Sequence, residues 1–179
     1  MKTIEIIGDN YFGQCTKTRT ACRVLVQEGG RLLLSYETKT GQWMIPGGGV
    51  EPGESETGCC VRETEEETGL RVLPGECFLE IDEYYEHCRW VSRYYTARVT
   101  GEGRQRLTPR EQAAGTEPRW LPEAQAADIF SRHAMYDGID EMRRGLYLRE
   151  YTALRAWEEY VRDQPPAQTK EKERQGEQT

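Results

Sequence analysis

The chain has 179 residues, with 24 lysines and arginines against 31 aspartates and glutamates, for a net charge of −7. That length suits one domain with a real core, and the acidic balance argues against a duplex nucleic-acid binder, which needs a basic footprint to release counterions. Phosphate substrates stay open, because a metal ion can supply the neutralising charge.

Six cysteines, Cys15, Cys22, Cys59, Cys60, Cys77 and Cys88, form no CxxC pair, and the chain opens on no charged and apolar leader. Reduced thiols in a cytoplasmic protein are the expectation. His87 and His133 lack partner spacing, so zinc is not expected. No apolar run approaches the roughly 18 residues of a membrane span.

In chain order, Met1 to Asp9 is a short β-prone run holding Ile4, Ile6 and Ile7, and Tyr11 to Thr20 is polar loop. Ala21 to Gln27, the turn Glu28-Gly29-Gly30 and Arg31 to Glu37 read as a hairpin. Trp43 to Ile45 is a short strand ended by Pro46. Gly47, Gly48 and Gly49 then argue against regular structure and let the backbone approach a ligand. Ser55 to Thr68 reads as a helix with Gly69 as its left-handed stop.

Beyond it, Arg71 to Ile81 and Trp90 to Thr100 are strand-like, with a turn at Glu86 to Arg89. Tyr84, Tyr85, Tyr94 and Tyr95 offer either a base-stacking surface or cross-strand packing. Thr100 to Pro118 reads as a long loop with a helical piece at Arg110 to Ala114, followed by a strand at Arg119 to Leu121 and a helix from Pro122 to Phe130. From Ala134 to Arg162, Met135, Ile139, Met142, Leu146, Leu154, Trp157 and Val161 recur at helical spacing, a face for the core or for a homodimer contact. Gly138 and Gly145 make that helix begin late or bend. The expectation is a single domain over 1–163, a mixed sheet between helices, and a disordered polar tail over 164–179.

The helix at Ser55 to Thr68 is electrostatically odd. A rotation of roughly 100° per residue puts Glu63, Glu66 and Glu67 on one face. Like charges at this spacing cost about 0.2–0.5 kcal/mol a pair, and carboxylates in the last turn oppose the helix dipole at about 0.3–1 kcal/mol each. A hard divalent cation, Mg²⁺ or Mn²⁺, reverses the sign of the repulsion.

The same stretch resembles the Nudix hydrolase signature. Gly48 is followed by five intervening residues and Glu54, then by seven and the pair Arg62-Glu63, then by Glu66-Glu67 and Gly69-Leu70, with Thr64 where an aliphatic residue is usual. The resemblance implies an α/β/α sandwich with a long C-terminal helix and Mg²⁺- or Mn²⁺-dependent hydrolysis of a nucleoside diphosphate linked to another moiety. By the same resemblance Glu63, Glu66, Glu67 and the carbonyl of Gly47 are the metal ligands. Arg62 orders the glutamates with Glu54 as its partner.

A general base is sought among these glutamates or downstream at Glu111 or Glu117, of which Glu117, just before the strand at Arg119, is favoured. Substrate phosphates are expected at Arg23 and Arg93, with Arg19 and Lys39 as further cations, and a base at Tyr85. The chain lacks the proline of the ADP-ribose-cleaving members beyond the motif, so a nucleoside triphosphate or nucleotide sugar is the expected small-molecule partner. A dinucleoside polyphosphate hydrolase, a non-catalytic nucleotide sensor and an isomerase of isopentenyl diphosphate type are the alternatives.

Overall fold

The structure is a computed structural model, and it describes residues 1–164. The expected tail over 164–179 lies outside the described residues, except for Gln164, which caps the last helix.

Strand β1 is Lys2–Ile7, β2 Lys17–Glu28, β3 Arg31–Glu37, β4 Gln42–Met44 and β5 Gly47–Gly49. Helix α1 is Glu56–Thr68, followed by β6 Leu70–Tyr85 and β7 Cys88–Glu102. Helix α2 is Pro109–Ala114, β8 Thr116–Pro122, α3 Glu123–Ser131 and α4 Glu141–Asp163, with a 3₁₀ turn at Arg132–Tyr136 before α4. The mixed sheet runs β1-β6-β7-β2-β3-β4, with β5 on β2 and β8 on β3.

Side-chain alternation along the central strands builds two cores. Val24 and Val26 of β2 pack with Cys59 and Cys60 of α1 on one face. Leu25, with Phe78, Ile81 and Tyr94, packs against Phe130 of α3 and Leu154 and Trp157 of α4 on the other. The result is an α/β/α sandwich, as the signature implied, and no described helix is long and apolar enough to cross a membrane.

Three local expectations need correction. The arms of the first hairpin meet only at Gln27↔Leu32 and Glu28↔Arg31. From there β2 turns to run parallel to β7, from Lys17↔Cys88 to Val26↔Ala97, while β3 pairs with β4 and β8. Because β7 supplies a long ladder, β2 also begins at Lys17, inside the stretch read as loop.

The three glycines form a strand, with Arg23↔Gly47, Cys22↔Gly48 and Ala21↔Gly49 in register. Gly47 has φ +146, and a Cβ there would sit 2.2 Å from the Cys22 carbonyl oxygen. Close backbone approach therefore explains these glycines better than a break in structure does.

The apolar repeat of the C-terminal region is core only in its second half. Met135, Ile139 and Met142 are 67%, 81% and 82% exposed, whereas Tyr147, Ala153, Leu154 and Trp157 are buried. Helix α4 starts at Glu141, where the Asp140 carboxylate accepts from the Arg143 amide at 3.0 Å.

Candidate active site

Helix α1 is fixed at both ends by its own sequence. Ser55 Oγ accepts from the Gly58 amide at 3.0 Å, and Gly69, at φ +72, donates its amide to the Glu65 carbonyl. Its sheet-facing side carries Cys59, Cys60, Thr64 and Thr68, all buried. Thr64 takes the usual aliphatic place without an unpaired hydroxyl, because Oγ1 donates to the Cys60 carbonyl at 2.7 Å.

The other side carries the charged group. Arg62 Nε and Nη2 donate to the two oxygens of Glu54 at 2.8 and 2.9 Å. Nη1 reaches Glu63 Oε1 at 2.7 Å and Glu66 Oε2 at 3.4 Å, and Nη2 also donates to the Gly49 carbonyl at 3.0 Å. One guanidinium thus ties the loop, β5 and α1 together. Its bonds to Glu54 hold that carboxyl down at about 2.

Glu67 points elsewhere. Its Oε2 accepts from Ser35 Oγ at 2.8 Å and from the Gly47 amide at 3.3 Å. Burial pushes this carboxyl up to about 8 against the opposing pull of Ser35 and Arg23, with Glu63 and Glu111 adding repulsion. Burial raises Glu63 as well, opposed by Arg62. Both carboxyls are raised by burial even with Arg62 beside Glu63 and the Arg23 charge acting on Glu67.

The oxygens offered here are hard donors of the kind Mg²⁺ or Mn²⁺ takes. Gly48 leaves room for them, since a Cβ there would lie 2.5 Å from the Glu63 carboxylate. Among the described residues, no three acidic, histidine or cysteine side chains already enclose one point at metal distance. Arg62 holds Glu63 and Glu66 while Ser35 holds Glu67, so binding a cation requires these side chains to turn. The donor chemistry fits, and the carboxylates are gathered but not yet converged.

The remaining expected residues are distributed unequally. Gly47 meets the cluster through its amide, and its carbonyl accepts from Arg23 Nη1 at 3.5 Å. Arg23 also donates to the Ile45 carbonyl at 3.2 Å, and its charge acts on Glu67. Arg93 is engaged at the other end of α1, bonded to Glu80 at 2.7 Å and paired with Glu56, so it ties the helix to the sheet. Tyr85 lines a cleft under the start of α4.

Glu117 stands apart from the carboxylates. In the β3–β8 ladder it pairs with Tyr36, on the face opposite Ser35, and it is bonded to Arg119. Glu111 stays electrostatically in reach of Glu63 and Glu67, within a capping box where its carboxylate accepts from the Thr108 amide at 2.7 Å.

Sequence reasoning missed Ser35 and Glu37. Both are buried on β3, with Glu37 held by Thr40 Oγ1 at 2.6 Å and by Arg110 at 3.9 Å. Their signal was a hydroxyl and a carboxylate at alternate positions ending an apolar strand.

Comparison with known proteins agrees with this geometry. The family model for the NUDIX domain matches residues 16–142. The human 8-oxo-dGDP phosphatase is 33% identical over 102 residues, covering 55% of this chain and 30% of that protein. A human diphosphoinositol polyphosphate phosphohydrolase is 44% identical over 86 residues, 47% of each. The chain therefore spans less than half the length of these curated relatives.

Among solved structures, the E. coli ORF135 protein superposes with a TM-score of 0.56 at 19% identity, covering 84% of this chain and 95% of that one. A NUDIX hydrolase from Nitrosomonas europaea gives 0.53 at 21% identity, covering 76% and 89%. These two carry the likeness of fold alone. The domain match, running from the first residues of β2 into α4, makes this chain a member of the Nudix family.

Proposed function

We propose that the protein hydrolyses a phosphoanhydride bond in a nucleoside diphosphate linked to another group, with a nucleoside triphosphate or a nucleotide sugar as substrate and Mg²⁺ or Mn²⁺ as cofactor. The observation that carries this reading is the gathering of Glu63, Glu66 and Glu67 at the end of α1, with burial raising Glu63 and pushing Glu67 up to about 8.

In this reading Glu63, Glu66 and Glu67 hold the cation, with the Gly47 backbone beside them. When bound, the ion neutralises charge on non-bridging phosphate oxygens and makes a bound water more acidic. The protein's own groups do the rest. Arg62 orients Glu63 and Glu66, Ser35 and the Gly47 amide orient Glu67, and Arg23 meets substrate charge near Gly47.

A carboxylate takes the proton of the attacking water, a contribution of typically 10²–10⁴-fold. Glu111 is the better downstream candidate, because its charge is felt by both Glu63 and Glu67.

The test is a panel of nucleoside triphosphates, nucleotide sugars, dinucleoside polyphosphates and ADP-ribose with Mg²⁺, with both products identified. Hydrolysis of at least one, abolished by EDTA and restored by added Mg²⁺, is the expected result. No turnover on the whole panel, or turnover indifferent to EDTA, overturns the reading.

A further inference from the structure

The segment between β7 and α2 is a strap drawn round the C-terminal end of α1. The Gly103 amide donates to the Gly69 carbonyl at 2.7 Å, and the Arg104 amide to Glu65 Oε1 at 3.2 Å. Gln105 Nε2 donates to the Glu67 carbonyl at 2.7 Å, and the Arg106 amide to the Glu66 carbonyl at 2.9 Å. The Arg106 guanidinium stands 3.7 Å from the Glu66 carboxylate.

The physics of α1 explains the need for such a partner. An α-helix leaves the carbonyls of its last turn without intrahelical donors, and α1 has no basic residue there to offset the helix dipole. The Gly69 cap takes the Glu65 carbonyl, and the strap takes those of Glu66 and Glu67. Gly103 permits the close approach, because a Cβ there would lie 2.7 Å from the Glu65 side chain.

The strap runs directly into α2 and governs where that helix lies. None of the α2 residues is buried, so core packing does not hold it. Gln112 Nε2 ties it to the strap by donating to the Leu107 carbonyl at 2.7 Å. Its far end is tied beyond β3, where the Thr38 and Lys39 amides donate to the Gly115 and Ala114 carbonyls, each at 3.1 Å. Between them Arg110 reaches the buried Glu37 only at 3.9 Å. Glu111 lies in the first turn, at the strap end.

We propose that Gln105 is a positioning residue: by clamping the strap to the Glu67 carbonyl it fixes Glu111 relative to the carboxylates of α1, and so sets the rate at which Glu111 takes the proton of the attacking water. The role in turnover rests on the hydrolytic reading, whereas the anchoring of α2 rests on the strap's own bonds. Metal and substrate binding should feel little, because Arg62 and Ser35 still hold the carboxylates of Glu63, Glu66 and Glu67 when Gln105 is cut back.

The test joins amide hydrogen exchange to a double-mutant cycle on the full chain. Gln105 is exposed, so its truncation leaves the core intact. Gln105→Ala should speed exchange over residues 106–115 about tenfold, the loss of one hydrogen bond, and leave residues 56–64 unchanged. On the panel substrate turned over fastest with Mg²⁺, kcat should fall about tenfold while KM and Mg²⁺ affinity stay within about twofold. Gln105→Lys, which keeps an N–H donor, should recover most of the loss. In a Glu111→Gln background, Gln105→Ala should change kcat by less than about twofold.

Unchanged exchange in Gln105→Ala overturns the proposal, whatever the protein hydrolyses. Equal losses with and without Glu111→Gln, or a loss carried by KM or by metal affinity, make Gln105 a structural clamp and overturn its positioning role. Faster exchange in a protein that turns over nothing in the panel overturns the hydrolytic reading, and with it the role in turnover, and leaves the anchoring of α2 standing.

Discussion

Arg62 grips Glu54 with two parallel bonds of 2.8 and 2.9 Å, and its remaining nitrogen reaches Glu63 at 2.7 Å. The planar fork matches a carboxylate in a way that a lysine ammonium cannot. Arg62→Lys should therefore keep the charge and lose the alignment. Metal affinity and kcat/KM should each fall about 10–100-fold, as for other groups that orient ligands, with a stability loss of roughly 1–3 kcal/mol. A metal titration beside a thermal melt checks this, and unchanged metal affinity would remove Arg62 from the positioning role.

Glu67 is where function and stability oppose each other. Its carboxylate is buried, bonded to Ser35 and repelled by Glu63 and Glu111. Glu67→Gln keeps an acceptor for Ser35 and removes the charge. Activity should drop at least about 100-fold, while the metal-free protein melts no lower than wild type at pH 8. A clear destabilisation of the metal-free variant would contradict the electrostatic account.

How far all this was legible in sequence depends on how local each feature is. Helix α1, its Ser55 cap, its Gly69 stop and the grouping of its glutamates lie within one segment whose period fixes them. The separation of β2 from β3 was not legible, because it depends on β7, far along the chain. Ser35 reaches Glu67 only because β3 lies beside the end of α1. The face on which Glu117 stands depends on a register with β3 that no local pattern encodes.

Acidity should tune the metal-free protein in a definite direction. The Glu67 carboxyl titrates at about 8 when folded, against an ordinary value of 4.5. Its folded pKa is raised, so the associated stability is complete below about pH 4.5 and is lost as pH rises through about 8. Glu54 has the opposite sign: lowered to about 2, its contribution is complete above about pH 4.5 and disappears only in stronger acid. In EDTA, then, the melting temperature should decline from about pH 5 to pH 8. Added Mg²⁺ should restore it most at the upper end, where the carboxylates are ionised and free to coordinate. A flat profile in EDTA would show that Glu67 is solvated or already neutralised.

The two downstream acids are separated by strand geometry. Residues directly opposite in an antiparallel ladder share a face, so Glu117 lies with Tyr36, while Ser35 and its bond to Glu67 lie on the other side. The Arg119 guanidinium holds Glu117 there and also covers the Tyr36 ring at 5.7 Å. Glu111, by contrast, adds its charge to the burial that raises both Glu63 and Glu67. Glu117→Gln should thus keep kcat within about twofold, whereas Glu111→Gln should lower kcat about 10²-fold or more if it takes the proton. The capping box retains an acceptor in Glu111→Gln, so the melt should shift by less than about 1 kcal/mol. Steady-state kinetics across pH separates the outcomes, because loss of a base removes the acid limb of the profile and loss of a cap does not. Should Glu117→Gln alone abolish turnover, the face assigned to it by the β3–β8 register is not the one it presents during catalysis.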